Sequence, residues 1–365
     1  MNIKLLRVKD YRNLEDTEIE FSDGINVFTG ENAQGKTNIL EAVWYFSACK
    51  SFRCSDDKEF IKDGKTVTVI ESVFNENNRD NEASIVISTD KRREIKKNDV
   101  KIKASEMIGS FKTVIFFPEQ LFLVKGSSEQ RRKFLDFAIS QLKPKYIEYL
   151  SKYNKILTQK NYMLRNNREE IKDTISQWNY ALAGYGAYIT VIRNSYIEKL
   201  KPIAERVCSE ISDGRDKLEL FFEASYNSSE IFDYTVEEYK NLLFEKMESI
   251  STEEINSGHS LIGSHRDDFS FSINGKSAKT LASQGQQRSC VISLKEAEAD
   301  LIKEVSGEYP VLLYDDVFSE LDATRKKYLL NKLCNKQVIL TCCENIDGYN
   351  TMNGKIFTVS GGKVF

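Results

Sequence analysis

One run of eight residues constrains this chain more than any other. Gly30-Glu31-Asn32-Ala33-Gln34-Gly35-Lys36-Thr37 fits G-x-x-x-x-G-K-[ST]. The strand-like Ile25-Asn26-Val27-Phe28 precedes it, and Ile39, Leu40, Val43, Trp44 and Phe46 follow at helical spacing. Strand, glycine loop, helix is the order an anion-binding loop requires. The glycines admit backbone conformations that turn successive N–H groups inward, and the helix opening at Thr37 points its positive end at the same place. Lys36 supplies a mobile cation for β- and γ-phosphates, and the Thr37 hydroxyl can ligate Mg²⁺. The bland alternative is a plain glycine turn.

A second acidic element fits the first. Val311-Leu312-Leu313-Tyr314 is an apolar strand that ends in Asp315 and Asp316. Beside a phosphate loop, the first carboxylate can hold Mg²⁺ and the second can position an attacking water; alone, the pair reads as a turn cap. Ser319-Glu320-Leu321-Asp322 follows at once. Upstream, Ser283-Gln284-Gly285-Gln286-Gln287-Arg288 opens a helix read at 289–305, and a serine-glycine turn at a helix start is a potential anion site. Taken singly, such a turn is more simply an exposed loop.

The rest of the 365 residues supplies a setting for these motifs. Residues 65–103 read as a β-meander, and residues 129–211 carry apolar positions at three-to-four spacing that imply a helical arm. Strands return from Leu218 and again at 269–273, and the last stretch alternates helix, strand, helix, strand, which implies parallel β/α packing. The seven cysteines are scattered, without a C-x-x-C, and read as reduced thiols of a cytoplasmic protein; two histidines leave little room for imidazole chemistry. The first residues lack an apolar secretion segment and no run is long enough to span a membrane. With 52 Lys+Arg against 55 Asp+Glu, a surface for nucleic acid has to be a local patch.

The phosphate loop, then SQGQQ opening a helix, then a strand ending in two acids, then SELD, resembles the ABC-type ATPase heads of the SMC superfamily, and within it the DNA-repair branch. KDYRN at 9–13, KSFR at 50–53 and GSHRDD at 263–268 support the likeness. The resemblance implies an α/β ABC-type P-loop ATPase head with an inserted, mostly helical arm: head at 1–120, arm at 121–254, head again at 255–365. It implies ATP and Mg²⁺ as cofactors, with ATP sandwiched between two copies. Residues 30–37 and Asn38 grip the nucleotide, with Arg12 and Asn13 approaching it and Arg53 acting at the interface. Ser283, Gln284, Gly285 and Gln286 of the other copy close the site as its signature, and Ser319 and Asp322 form the D-loop. Thr37 and Asp315 become metal ligands, and Asp316 joins Lys36 as catalytic. Asp316 stands where most such heads carry Glu, which implies slow, DNA-dependent hydrolysis; Cys342 falls at the switch-histidine position and Gln120 at the Q-loop. Implied partners are single-stranded, gapped and duplex DNA, and the recombination proteins RecO, RecR and RecA.

Basic runs offer DNA contacts. Lys91, Arg92 and Arg93 begin one that continues through Lys96, Lys97, Lys101 and Lys103; Arg131, Arg132 and Lys133 open the arm, followed by Lys152, Lys155, Lys160, Arg165 and Arg168. Each run also fits a solvated face. His265-Arg266-Asp267-Asp268 reads as a structural turn, and Tyr162 and Tyr185 as arm core. The competing readings are a P-loop kinase of small molecules and a structural SMC-type protein, which needs longer arms than this insert.

Overall fold

The computed structural model describes residues 1–226, 234–333, 335–343 and 354–365. In chain order come β1 (Asn2–Lys9), β2 (Thr17–Glu20), β3 (Ile25–Thr29), α1 (Lys36–Ala48), β4 (Val67–Glu76), β5 (Arg79–Ser88), β6 (Glu94–Lys97), β7 (Val100–Ile102) and β8 (Thr113–Phe116). There follow α2 (Ser128–Ser140), α3 (Pro144–Asn166), α4 (Arg168–Ile211), β9 (Leu218–Glu223), α5 (Val236–Ser249), β10 (Asp268–Ile273), β11 (Lys276–Ser277) and α6 (Gln284–Ser306). The chain closes with β12 (Val311–Asp315), α7 (Ala323–Lys332), β13 (Val338–Cys342), β14 (Gly354–Ser360) and β15 (Lys363–Val364). They form two compact units, Met1–Gln120 with Lys295–Phe365, and Leu121–Leu294.

The first unit holds two six-stranded sheets. One has the order β15-β14-β3-β13-β12-β8, with β14, β3, β13, β12 and β8 mutually parallel. Its central strands are apolar and buried, as expected where helices cover a parallel sheet. The register aligns Asp315 with Thr341 and Cys342 with Thr29, so the polar strand ends gather at one edge. Ligands bind outside the carboxyl ends of parallel strands. The other sheet, β2-β1-β4-β5-β6-β7, is antiparallel and contains the meander. Helix α1 packs on β8, β12 and β13. It buries nearly its whole circumference, Glu41 included.

The second unit is the helical arm with a small sheet. Helix α4 runs for 44 residues, about 66 Å at 1.5 Å per residue, with α3 and α5 beside it. The unit extends to Leu294 rather than stopping at 254. The reason is the antiparallel pairing of β9 with β10, Leu220 opposite Phe271, which ties residues 268–273 to the arm. Two other expectations need correction. Lys160 is fully buried, bonded to Glu254 and Asn179, because its carboxylate partner reaches it from the helix Ser251–Ser257. Tyr162 is 63% exposed and is no core residue. The turn at 265–268 is structural, as read: His265 shares a hydrogen bond with the Tyr153 hydroxyl, and Asp267 accepts from Thr190, Arg193 and the Ser225 amide. Burial holds His265 down at about 4 and pushes Asp267 up to about 6.

Candidate nucleotide-binding site

The phosphate loop leaves β3 at Thr29 and enters α1 at Lys36. Two glycines are required by geometry. A Cβ on Gly30 would lie 2.2 Å from the Val359 carbonyl oxygen, and one on Gly35, where φ is +115°, would lie 2.6 Å from Leu14 Cδ2. Ala33 is also left-handed, at φ 64°. Gln34 fastens the loop from behind: its side-chain oxygen accepts from the Gly361 amide and its carbonyl from that of Gly362. Asn13 fastens it from the side, donating to the Ala33 carbonyl (3.1 Å) and accepting from Asn38 (2.6 Å). Lys36 is buried and folded over the loop, donating to the carbonyls of Gly30 (2.5 Å) and Glu31 (2.7 Å). Helix α1 has no side-chain cap; the Asn38 amide turns back to the Gly35 carbonyl, and the amides ahead of it are left to a ligand.

Across the cleft stand the two carboxylates. Asp315 accepts from the Thr37 hydroxyl (2.8 Å) and the Thr341 hydroxyl (2.9 Å). Burial pushes its carboxyl above the ordinary range, against the pull of those hydroxyls and of Arg53. A divalent cation would offset that burial, and a hydroxyl beside a carboxylate is the oxygen donor set a hard cation such as Mg²⁺ takes. Asp316 sits in the left-handed region, φ 49°, and its Oδ1 is buried without a hydrogen-bond partner. A buried carboxyl oxygen without a partner, bordering the cleft, is a polar group with room for a ligand. Ser319 donates to the Asp316 carbonyl, and Asp322 caps α7 through the Arg325 amide. The cleft, about 340 Å³, is bounded by Asn32, Ala33, Gly35 to Asn38, Arg53, Pro118, Glu119, Asp315, Asp316, Thr341 and Cys343.

The structure corrects several sequence assignments around this cleft. Arg12 does not border it. Its guanidinium forks onto Glu41 (2.8 and 3.1 Å) and lies over the Phe60 ring, because Glu41 is fully buried inside α1 and needs a cation. Arg53 binds the same carboxylate (2.6 Å) and is the arginine that reaches the cleft. Glu41 was missed by sequence reasoning, although a lone carboxylate in an apolar helix was a usable signal. Thr341 was missed too. Gln120 is buried with its amide on the Ile115 carbonyl, while its neighbours Pro118 and Glu119 border the cleft. Cys342 is buried, its thiol pushed up to about 11, whereas Cys343 borders the cleft and donates to Asn32 (2.9 Å).

In the second unit, Ser283 begins α6 with reciprocal bonds. Its hydroxyl accepts from the Gln286 amide (3.2 Å), and its amide donates to the Gln286 side chain (3.0 Å). Gln286 in turn donates to Asp216 (2.8 Å). Ser283 and Gln284 are exposed, and Gly285 is half-buried.

Three of the proposed DNA contacts are already committed. Arg93 donates to Tyr45, Asp57 (2.7 Å) and the Cys49 carbonyl. Arg131 forms a two-pronged pair with Asp268 (2.7 Å each), and Arg132 binds the Asp267 carbonyl (2.7 Å). Arginines so paired hold the fold and are withdrawn as DNA contacts. Lys91 and Arg92 are exposed, as is Lys133, which pairs with Glu129 one helical turn away.

This geometry has known counterparts. Residues 2–356 match the family model described as RecF/RecN/SMC N terminal domain. Over 369 residues the chain is 38% identical to the DNA replication and repair protein RecF of Clostridium perfringens, covering all of this chain and 99% of that one. The RecF of Clostridium tetani is 36% identical, again over all of this chain and 99% of its own length. The solved structure of the recombination mediator protein RecF with ATP, described in the RecFOR pathway, superposes with a TM-score of 0.92 at 34% identity, covering all of this chain and 96% of that one. An Smc head bound to the C-winged helix domain of ScpA shares the fold, with a TM-score of 0.60 at 15% identity over all of this chain and 97% of that one. The nucleotide cleft thus stands on an ABC-type ATPase head, and the chain belongs to the RecF family of the RecF/RecN/SMC proteins.

Proposed function

We propose that the protein is an ATP-dependent DNA-binding protein of replication and recombinational repair, in which ATP joins two copies on DNA and slow hydrolysis releases them. The observation that carries this reading is the convergence of Lys36, Thr37, Asp315 and an unpartnered Asp316 oxygen on one cleft. Support comes also from the relatives, which are named for DNA replication and repair and include a RecF solved with ATP.

Each side chain has a distinct task in this reading. Lys36 exchanges two carbonyl dipoles for the charged β- and γ-phosphate oxygens, a stronger hydrogen bond at each position. The amides from Glu31 to Thr37 cradle the same phosphates. Thr37 and Asp315 hold Mg²⁺, which when bound neutralises charge on the phosphate oxygens. Asp316 takes a proton from the attacking water at its free Oδ1. Its carboxylate is one methylene shorter than the glutamate usual in such heads, which lengthens the reach to the water and keeps turnover slow.

Ser283 and Gly285 of a second copy close on the γ-phosphate, with Gln284 and Gln286 shaping that turn and Ser319 and Asp322 forming the D-loop contact. The Ser283 oxygen accepts within its own turn, so its proton is free to be donated outward. ATP favours the dimer to the extent that it binds the closed state more tightly than the open one. Lys91, Arg92 and Lys133 are candidates for phosphate contact with single-stranded, gapped or duplex DNA. RecR, RecO and RecA are the partners this reading implies, with the protein assisting RecA loading in the cytoplasm. Sedimentation velocity with and without ATP, then with gapped DNA, tests the proposal: the expected result is a monomer that becomes a dimer with ATP and sediments with DNA. A monomer at saturating ATP refutes it.

A further inference from the structure

The basic runs read from sequence are largely spent on ion pairs, but Lys152, one of their members, joins a different set of cations on the arm. Tyr149 of α3 meets Tyr185 and Tyr188 of α4, with ring centroids 5.2 and 4.4 Å apart. Lys145 lies over the rings of Tyr149 (5.2 Å) and Tyr188 (5.3 Å), and Lys152 lies over Tyr185 (5.7 Å). The tyrosines are half-buried and both lysines exposed. Lys143, at the start of α3, is held below the usual lysine range by burial and by the neighbouring charge of Lys199. The patch therefore crowds like charges.

Ordinary packing of lysine stems on rings accounts for isolated contacts, such as Lys240 on Tyr180 or Lys303 on Tyr309. It does not account for Lys143, Lys145, Lys152 and Lys199 gathered along one helical hairpin against Glu148 and Glu198, in a chain whose net charge is −3. The Glu148–Lys152 pair is exposed on both sides, and such pairs yield readily to a stronger anion. Tyr185 to Lys199 spans fourteen residues of α4, about 21 Å, the reach of a handful of nucleotides. Lysines for phosphates beside aromatic rings for bases are the two components of a single-strand binding surface. A duplex hides its base faces and would use the lysines alone.

We infer that the α3–α4 face carrying Lys145, Lys152, Tyr149, Tyr185 and Tyr188 binds single-stranded DNA, phosphates on the lysines and unpaired bases against the tyrosines. This rests on the DNA-binding reading above and gives it a surface. Fluorescence anisotropy of the full chain with labelled oligo(dT), titrated with salt, tests it. The double variant Lys145→Gln/Lys152→Gln should bind roughly tenfold more weakly at low salt, with a salt slope shallower by about 1.4, at 0.7 per phosphate contact. Tyr188→Leu should weaken binding roughly five- to tenfold and leave the slope unchanged. Wild-type affinity in both variants overturns the inference alone, as does a loss seen with duplex but not with oligo(dT). Failure of the wild-type chain to bind any DNA overturns both this inference and the reading it rests on. Photocrosslinking of bromodeoxyuridine oligonucleotide to the unaltered protein needs no variant to fold: adducts on these tyrosines are expected, and adducts confined elsewhere reject the site.

Discussion

Two helix starts in this molecule were both read as anion sites, and they are built on opposite principles. Helix α1 opens at Gly35 with no side-chain cap, under left-handed backbone at Ala33 and Gly35, with a buried lysine folded over the loop. Helix α6 opens at Ser283 with a reciprocal cap, the Ser283 and Gln286 amides each taken by the other residue's side chain. The first start is strained and open, and an anion there relieves unsatisfied amides and gives Lys36 a charged partner. The second is relaxed and closed, offering one hydroxyl proton and the amides a capping box leaves over. Affinity for nucleotide should therefore reside in α1, while α6 adds only what a second copy brings to a nucleotide already bound. Dimerisation then depends on binding, and binding does not depend on dimerisation.

The largest effect tests the open start. Lys36→Ala removes two charge-assisted hydrogen bonds, each worth about 1.5–3 kcal/mol, so ATP affinity should fall roughly 10²- to 10⁴-fold and ATP-driven dimerisation with it. Equilibrium binding of a fluorescent ATP analogue measures this; near-normal affinity would mean that the loop is not where nucleotide binds. Asp316→Asn comes next. Turnover should drop about 10²- to 10⁴-fold, the usual contribution of a general base, while ATP still binds and the dimer persists. Steady-state phosphate release alongside sedimentation separates the two, and unimpaired release removes Asp316 from its role. Ser283→Arg addresses the closed start: a bulky cation at the exposed turn should leave ATP affinity within about threefold of wild type and abolish the dimer. Equal loss of binding and dimerisation would erase the division of labour between the helices.

How much of this could be read from sequence follows the same physical line. The phosphate loop, the strand end at Asp315 and Asp316 and the helix start at Ser283 were legible as local structure because each motif is contiguous and shaped by its immediate neighbours. The parallel sheet was legible from apolar strands alternating with helices. What failed depended on partners far along the chain. Arg93 is taken by Asp57, 36 residues away, Arg131 by Asp268, 137 away, and Lys160 by Glu254, 94 away. A basic run looks the same in sequence whether its charges meet water, DNA or buried carboxylates. The end of the arm was misplaced for that reason too, since β10 reads as any strand until β9 is seen beside it. Tyr149, Tyr185 and Tyr188 escaped notice as a surface because the helical hairpin alone brings them together.

The smallest effect probes the closed start by itself, without nucleotide. Ser283→Ala deletes the oxygen that accepts the Gln286 amide, a cap worth about 1 kcal/mol, whereas Ser283→Thr keeps it. That loss should speed hydrogen exchange at the Gln286 amide roughly fivefold in the alanine variant, with the amides of Lys36 to Asn38 unchanged. Adding ATP to the wild-type protein should do the converse, slowing exchange at the start of α1 before any change at Gln286, provided the concentration is kept low enough to avoid dimers. If the alanine variant exchanges at Gln286 no faster than the threonine variant, the hydroxyl is not capping the helix. Its oxygen would then be free as well as its proton, and the contrast between an open and a self-satisfied helix start would lose its physical basis.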